Sequence, residues 1–141
     1  MPNSHVSNHL HIVFGTKNRA SLIPAELQPR LWAYMAGILR NYGMRALAIG
    51  GMDDHVHALI STPPVITIAK SVQVLKANSS RWMNQNRLRR FEWQEGYGSF
   101  SASRSHIPAI MKYIANQAEH HRKLDFATEY AMLLRKHGIE I

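Results

Sequence analysis

His55-Val56-His57 is the stretch best suited to chemistry. Across Met52 to Ser61, Val56, Ala58 and Ile60 alternate with His55, His57 and Leu59; this period of two predicts a β-strand with both imidazoles on one face. Residues two apart on a strand stand roughly 6.5–7 Å from each other, so the two side chains can close on one divalent ion. On its own, the pair does not distinguish a metal site from two unrelated histidines. A second pair, His9-Leu10-His11, has the same spacing and competes for the role.

The other residues with chemistry in their spacing are Tyr113 and Gln117, four apart and so one turn from each other on the face of a helix. With Ile110 at zero on a wheel of about 100° per residue, Gln117 lies about 20° away, inside the apolar stripe of Ile107, Ile110 and Ile114. An amide aimed at the interior needs a partner. A cation held by two imidazoles would take its carbonyl oxygen, and a hydrogen bond to a sheet would serve equally.

The elements that position these residues follow from pattern. His9 to Thr16 alternates Leu10, Ile12 and Phe14 with His9, His11 and Val13, predicting a first strand with one polar-facing side. Pro24 opens a short turn and the main helix runs from about Pro29 to Tyr42, stopped by Gly43. Met44 to Ile49, the turn residues Asp53-Asp54 and the His55 strand form a hairpin closed by Pro63-Pro64. A long amphipathic helix from about Thr67 to Asn86 buries Ile68, Val72, Leu75 and Trp82 and leaves Lys70, Gln73 and Lys76 in water. Gly96 to Ser101 reads as a last strand. Ser105 then caps a helix running to about His121, with Pro108 in its first turn, and a final amphipathic segment spans Asp125 to Lys136. Strand, helix, hairpin, helix, strand, helix, helix is an α+β order, the ferredoxin-like split βαβ arrangement with an antiparallel sheet and packed helices. The expectation is one domain over residues 1–141.

Composition narrows the partners. The chain of 141 residues has no cysteine, which excludes disulfides, thiolate zinc sites and a thiol nucleophile. No secretory h-region and no spanning apolar run is visible, so a soluble, cytoplasmic protein without a membrane partner is expected. Lysine plus arginine outnumber aspartate plus glutamate 17 to 9, a net charge of +8 that suits a polyanion, nucleic acid first. Lys76, Arg81, Arg87, Arg89 and Arg90 are candidate phosphate contacts, each of which reads equally as an ordinary solvated charge.

Taken together, these residues resemble a family. His55-Val56-His57, then Phe91-x-Trp93-Gln94-x-Gly96-Tyr97, then Tyr113-x-x-x-Gln117 is similar to the single-tyrosine HUH transposases, the insertion-sequence group numbered two hundred and six hundred and five and their REP-associated relatives. The likeness extends to His11 through Arg19 and to Leu75 through Trp82. It implies an HUH-endonuclease fold, with His55 and His57 as metal ligands, Gln117 as the third ligand, Tyr113 as the nucleophile, and Mg2+ or Mn2+ as the ion. It further implies a homodimer that cleaves and rejoins single-stranded DNA near a hairpin through a 5′-phosphotyrosine and a free 3′-hydroxyl. His9 and His11 match no ligand position. The stop at Ile141, soon after Gly138, departs from where relatives are expected to continue, so the last helix is expected to pack or dimerise differently.

The chemistry is coherent. A divalent ion neutralises phosphodiester charge and holds phosphorus in line with a nucleophile, and a covalent tyrosine ester conserves the energy of the broken bond without ATP. Two imidazoles and an amide form a neutral ligand set that intrinsically favours manganese, nickel or zinc, with cellular abundance favouring magnesium. Asp53 shares the strand face of His55 and reads first as a turn aspartate, with orientation of an imidazole as the alternative, and His121, one turn past Gln117, is a spare ligand flanked by His120. The rival readings are a metal-free RRM-like binding module stacking bases on Trp93, Tyr97 and Phe100, and a domesticated relative that keeps the site without mobilising DNA.

Overall fold

A computed structural model describes residues 4–86 and 90–140 of the chain. Four strands, β1 (His9–Gly15), β2 (Arg45–Gly51), β3 (His55–Ser61) and β4 (Gly98–Ala102), form one antiparallel sheet in the order β2-β3-β1-β4. The helices are α1 (Gln28–Asn41), α2 (Ile68–Gln85), α3 (Ile107–Ala115), α4 (Gln117–His120) and α5 (Phe126–Lys136). This is the expected α+β ferredoxin-like arrangement. Among the described residues no helix is long and apolar enough to cross a membrane.

The two strands carrying HxH pairs are the central ones. β1 pairs with β3 so that Val13 lies opposite His57 and His11 opposite Leu59. One face of the sheet carries Leu10, Ile12, Phe14, Val56, Ala58 and Ile60, which pack with Leu31, Met35 and Leu39 of α1 and Val72, Leu75 and Met83 of α2 into the main core. On the other face, Val13 and Phe100 meet Phe126 and Leu134 of α5 in a smaller cluster, while α3 lies on β2 and β3. β1 is therefore covered on both sides. His11 is 4% exposed and Val13 fully buried, which corrects the expectation of a polar-facing side: His11 points at His57 under the helices, not at water.

Several boundaries follow local chemistry. Pro29 sits in the first turn of α1, where its missing N–H costs nothing, after a turn closed by the Leu27 amide on the Pro24 carbonyl at 2.9 Å. Gly43 takes φ +79, the left-handed geometry that ends the helix. Thr67 caps α2 by accepting from the Lys70 amide at 3.0 Å. The buried stripe of α2 runs through Ser71, Val72, Leu75, Ser79 and Met83; Ile68, on the same face but in the first turn, stays 40% exposed and does not reach the core. Trp82 lies at the core margin and stacks on Tyr34, with ring centroids 5.2 Å apart.

The late helix departs from expectation. Ser105 lies within a short 3-10 turn, Arg104–His106, and α3 begins at Ile107 with no side-chain cap. The helix does not run on to His121: Asn116, at φ −100 and ψ 25, separates α3 from α4. The gain is proximity. A Cβ on Gly50 would stand 2.8 Å from the Ile114 carbonyl oxygen, so only a glycine in β2 lets α3 lie this close to the sheet.

Candidate functional site

His55 and His57 project from β3 into the space between the sheet and the helices α3 to α5, and both are fully buried. His55 is clamped from two sides. Its Nδ1 lies 2.7 Å from Asp54 Oδ1, and its ring stacks on Phe126 at a centroid distance of 4.2 Å. Phe126 reaches it because Gly15 ends β1 without a side chain: a Cβ there would stand 2.7 Å from the Phe126 ring. The orienting carboxylate is thus Asp54, not Asp53, whose side chain bonds the Ser21 hydroxyl and whose carbonyl accepts from Leu22 and Ile23.

His57 Nδ1 lies 2.8 Å from His11 Nε2. Burial, with the neighbouring His57, lowers the pKa of His11 to about 3, and burial also lowers that of His57. Two neutral rings share one hydrogen. His11, set aside as a ligand on position, stands behind a ligand-type histidine.

The structure brings Gln117 and Tyr113 to the same place. Gln117 Oε1 is 2.8 Å from His55 Nε2, while its Nε2 donates to Glu129 Oε2 at 3.2 Å. The amide orientation is thereby set, with oxygen toward the imidazoles. The Tyr113 hydroxyl donates to Glu129 Oε2 and lies 3.3 Å from His120 Nε2. Burial, reinforced by Glu129, pushes its pKa above the ordinary phenol value, so the hydroxyl keeps its proton in this arrangement.

Two residues complete the cluster. Glu129, on α5, is 1% exposed, and its Oε1 lies 3.3 Å from His55 Nε2 and 3.2 Å from His57 Nε2. Burial alone would raise its pKa, but the contact with His57 and the Tyr113 hydroxyl outweigh it and hold the carboxyl well below the usual range. His121 Nε2 lies 3.0 Å from Glu129 Oε1 and 3.1 Å from Gln117 Oε1. The donor atoms of His55, His121 and Glu129 all fall within 4.8 Å of one another. His121 was a spare ligand on spacing; Glu129 was missed. A signal for it existed, since Glu129 falls about 60° from Phe126 and about 40° from Leu133 on a helical wheel, an acid inside an apolar stripe.

The donor spacing fits a cation. Bonds of about 2.1 Å in octahedral geometry set neighbouring ligand atoms about 3 Å apart, and the contacts among His55, His57, Gln117, His121 and Glu129 run from 2.8 to 3.3 Å. A cavity of about 570 Å³ between β4, α3 and α5, lined by His11, Tyr113, His120 and Glu129 among others, opens onto the cluster.

The candidate phosphate contacts divide. Lys76 Nζ donates to the carbonyls of Gln94 at 2.8 Å and Gly96 at 2.6 Å, and burial lowers its pKa; two of its three donors tie down the segment before β4. Arg81 is exposed beside Asn78, and Arg90 pairs with Glu92 at 3.1 Å on the surface. Arg87 and Arg89 lie outside the described residues. Of the rings proposed for base stacking, Tyr97 is 40% exposed, whereas Phe100 is 2% exposed and stacks on His137, and Trp93 packs edge-on to Phe14 and Phe91. An RRM-like reading needs an open sheet face, and both faces here are covered.

The sequence model of the family described as Transposase IS200 like matches residues 4–117. The chain belongs to this transposase family. A relative, the ISDra2 transposase TnpA of Deinococcus radiodurans, is 27% identical over 114 residues, 76% of this chain and 81% of its own length. A crystal structure whose description reads 'a putative transposase from Deinococcus radiodurans R1' superposes with a TM-score of 0.68 at 24% identity, covering 83% of this chain and 95% of that one. A REP-associated tyrosine transposase bound to a REP hairpin superposes with a TM-score of 0.61 at 14% identity, covering 86% and 73%. At these identities the two structures speak for the fold. The family match ends at Gln117, so this transposase brings α5 and Glu129 to the site from beyond the matched stretch.

Proposed function

We propose that this transposase cleaves and rejoins single-stranded DNA, with Tyr113 as nucleophile and His55, His57 and Gln117 holding a divalent ion, Mg2+ or Mn2+. The observation that carries the reading is the convergence, within one chain, of the Tyr113 hydroxyl and of two imidazoles and an amide oxygen on the same carboxylate-lined point. When bound there, a divalent ion supplies neutralisation of phosphodiester charge and an in-line hold on phosphorus.

The chain's residues supply the rest. Tyr113 lies beside the cavity that opens toward β4, the side from which a strand can approach. Its oxygen forms a bond to phosphorus as the P–O3′ bond breaks, giving a 5′-phosphotyrosine; the phenol loses its proton and the departing 3′-oxygen gains one. The phenol proton is held at Glu129 Oε2, with His120 as the second neighbour. Reversal with the 3′-hydroxyl of another strand rejoins DNA. Arg81 and Arg90, both on the surface, and the net charge of +8 suit the phosphate backbone. A hairpin-bearing strand as substrate and a homodimer as the working form follow from the likeness to the family, one relative of which was solved on a REP hairpin.

The test is adduct formation. Incubated with Mn2+ and a hairpin-bearing oligonucleotide drawn from the DNA flanking its coding region, the protein is expected to give a denaturant-resistant protein–DNA band that Tyr113→Phe does not form. An equal adduct from that variant would remove Tyr113 from the role.

A further inference from the structure

We infer that Glu129 of α5, with His121, completes the cation site as a charged arm, so that the site is a five-donor cage of His55, His57, His121, Gln117 and Glu129. The inference rests on the metal reading of the preceding subsection and extends it to residues outside the family-matched stretch.

Hydrogen placement carries the argument. His121 Nδ1 faces the Leu124 carbonyl at 2.5 Å, and a carbonyl can only accept, so that nitrogen carries a hydrogen. His55 Nδ1 faces the Asp54 carboxylate in the same way. In a neutral imidazole so fixed, Nε2 has a lone pair and nothing to donate. Both Nε2 atoms nevertheless face oxygens that also only accept: Gln117 Oε1, whose amide hydrogens point at Glu129 Oε2, and Glu129 Oε1. Contacts of 2.8 to 3.3 Å between lone pairs repel unless positive charge lies among them, either as a second proton on each imidazole or as one cation shared by all the donors. A cation ligated by all of them removes the conflict, and the outer nitrogens already have the acceptors that metal-ligating imidazoles use.

Glu129 is placed for this rather than swept in by chance. Asp125 caps α5 by accepting from the Thr128 amide at 2.8 Å, Phe126 locks the first turn onto His55, and Leu134 anchors the far end in the smaller cluster. The carboxylate divides its oxygens. Oε1 faces the imidazoles, and Oε2 takes the Tyr113 hydroxyl and the Gln117 amide. It also changes the charge of the ligand set from neutral to −1, which moves preference toward harder ions.

The full-length protein stripped of metal and titrated with Mn2+ and, separately, Ni2+ by calorimetry tests this, using His55→Ala, Glu129→Gln and His121→Ala. Expected is a loss of Mn2+ affinity of at least about tenfold in Glu129→Gln, the lower range seen even for outer partners of ligands, with a smaller loss for Ni2+, and a weaker Mn2+ loss in His121→Ala. The Co2+ absorption spectrum should change shape and intensity in both, reporting altered coordination independently of affinity. Circular dichroism confirms that each variant is folded. If His55→Ala abolishes binding while Glu129→Gln and His121→Ala bind Mn2+ within twofold of the unaltered protein, the cage is overturned and the three-ligand reading stands. Tighter Mn2+ binding by Glu129→Gln would make the carboxylate a plug competing with the ion, which also overturns it. Failure of the unaltered protein to bind either ion overturns both readings.

Discussion

His11→Leu tests whether the imidazole behind His57 matters. On the proposed reading, an ion held by His57 Nε2 would leave the Nδ1 hydrogen to be donated outward, and its acceptor would be His11 Nε2 at 2.8 Å, in a space where both rings are buried. Leucine fills a similar volume but accepts nothing, leaving an N–H unsatisfied at a cost of about 1–3 kcal/mol. At about 2.1 cal/mol/K of unfolding entropy per residue, a chain of this length loses about 3–10 °C of melting temperature. Metal affinity should fall about 10- to 100-fold, the range for removing an outer partner of a ligand. Calorimetric titration with Mn2+ and melting curves with and without chelator read the two effects separately. His11→Gln, which restores a carbonyl acceptor, should recover much of the affinity. If His11→Leu binds Mn2+ within twofold of the unaltered protein, His11 does not position His57, and the contact is merely packing.

Gly50→Ala should push α3 off the sheet, because the new Cβ meets the Ile114 carbonyl oxygen at 2.8 Å; a cost of about 1–3 kcal/mol is expected from overpacking, read as a lower melting temperature, and DNA adduct yield should fall further than the melt predicts because Tyr113 rides on the displaced helix. Lys76→Met should destabilise by about 1–2 kcal/mol through the loss of two charged donors while leaving the salt dependence of single-strand binding unchanged. Arg81→Ala, by contrast, should leave the melt unaltered and lower the slope of log affinity against log salt by about 0.7, the share of one phosphate contact on a single strand.

Much of the fold is legible from period and punctuation. The His55 strand alternates cleanly, Gly43 stops α1, and Thr67 and Asp125 cap α2 and α5 where the apolar stripes begin. What the pattern leaves out is which faces are covered. Alternation separates the two sides of β1 but treats His11 as a polar residue seeking water, whereas the packing of α5 over that face makes it a buried partner of His57. The same ambiguity hid Glu129. Histidine, glutamine and glutamate contribute nothing to an apolar count, so a site assembled from them reads as exposed surface until the path of the chain through residues 121–125 turns α5 back over β3. The break at Asn116 is of the same kind: nothing in residues 105–121 forbids a continuous helix, and the interruption accompanies the placement of Gln117 beside His55 and His121. The polar residues that did stand out, Tyr113 and Gln117, were those whose helix stripe was otherwise uniformly apolar. Interior polar groups are therefore legible in proportion to the apolarity of their own element, and α5, with Thr128, Glu129, Tyr130 and Arg135 in its short span, gave Glu129 too little contrast. That contrast argument reaches beyond this site, since the charge of a buried cluster is set by residues that look like surface, and a ligand set read from stripe contrast alone is biased toward neutrality.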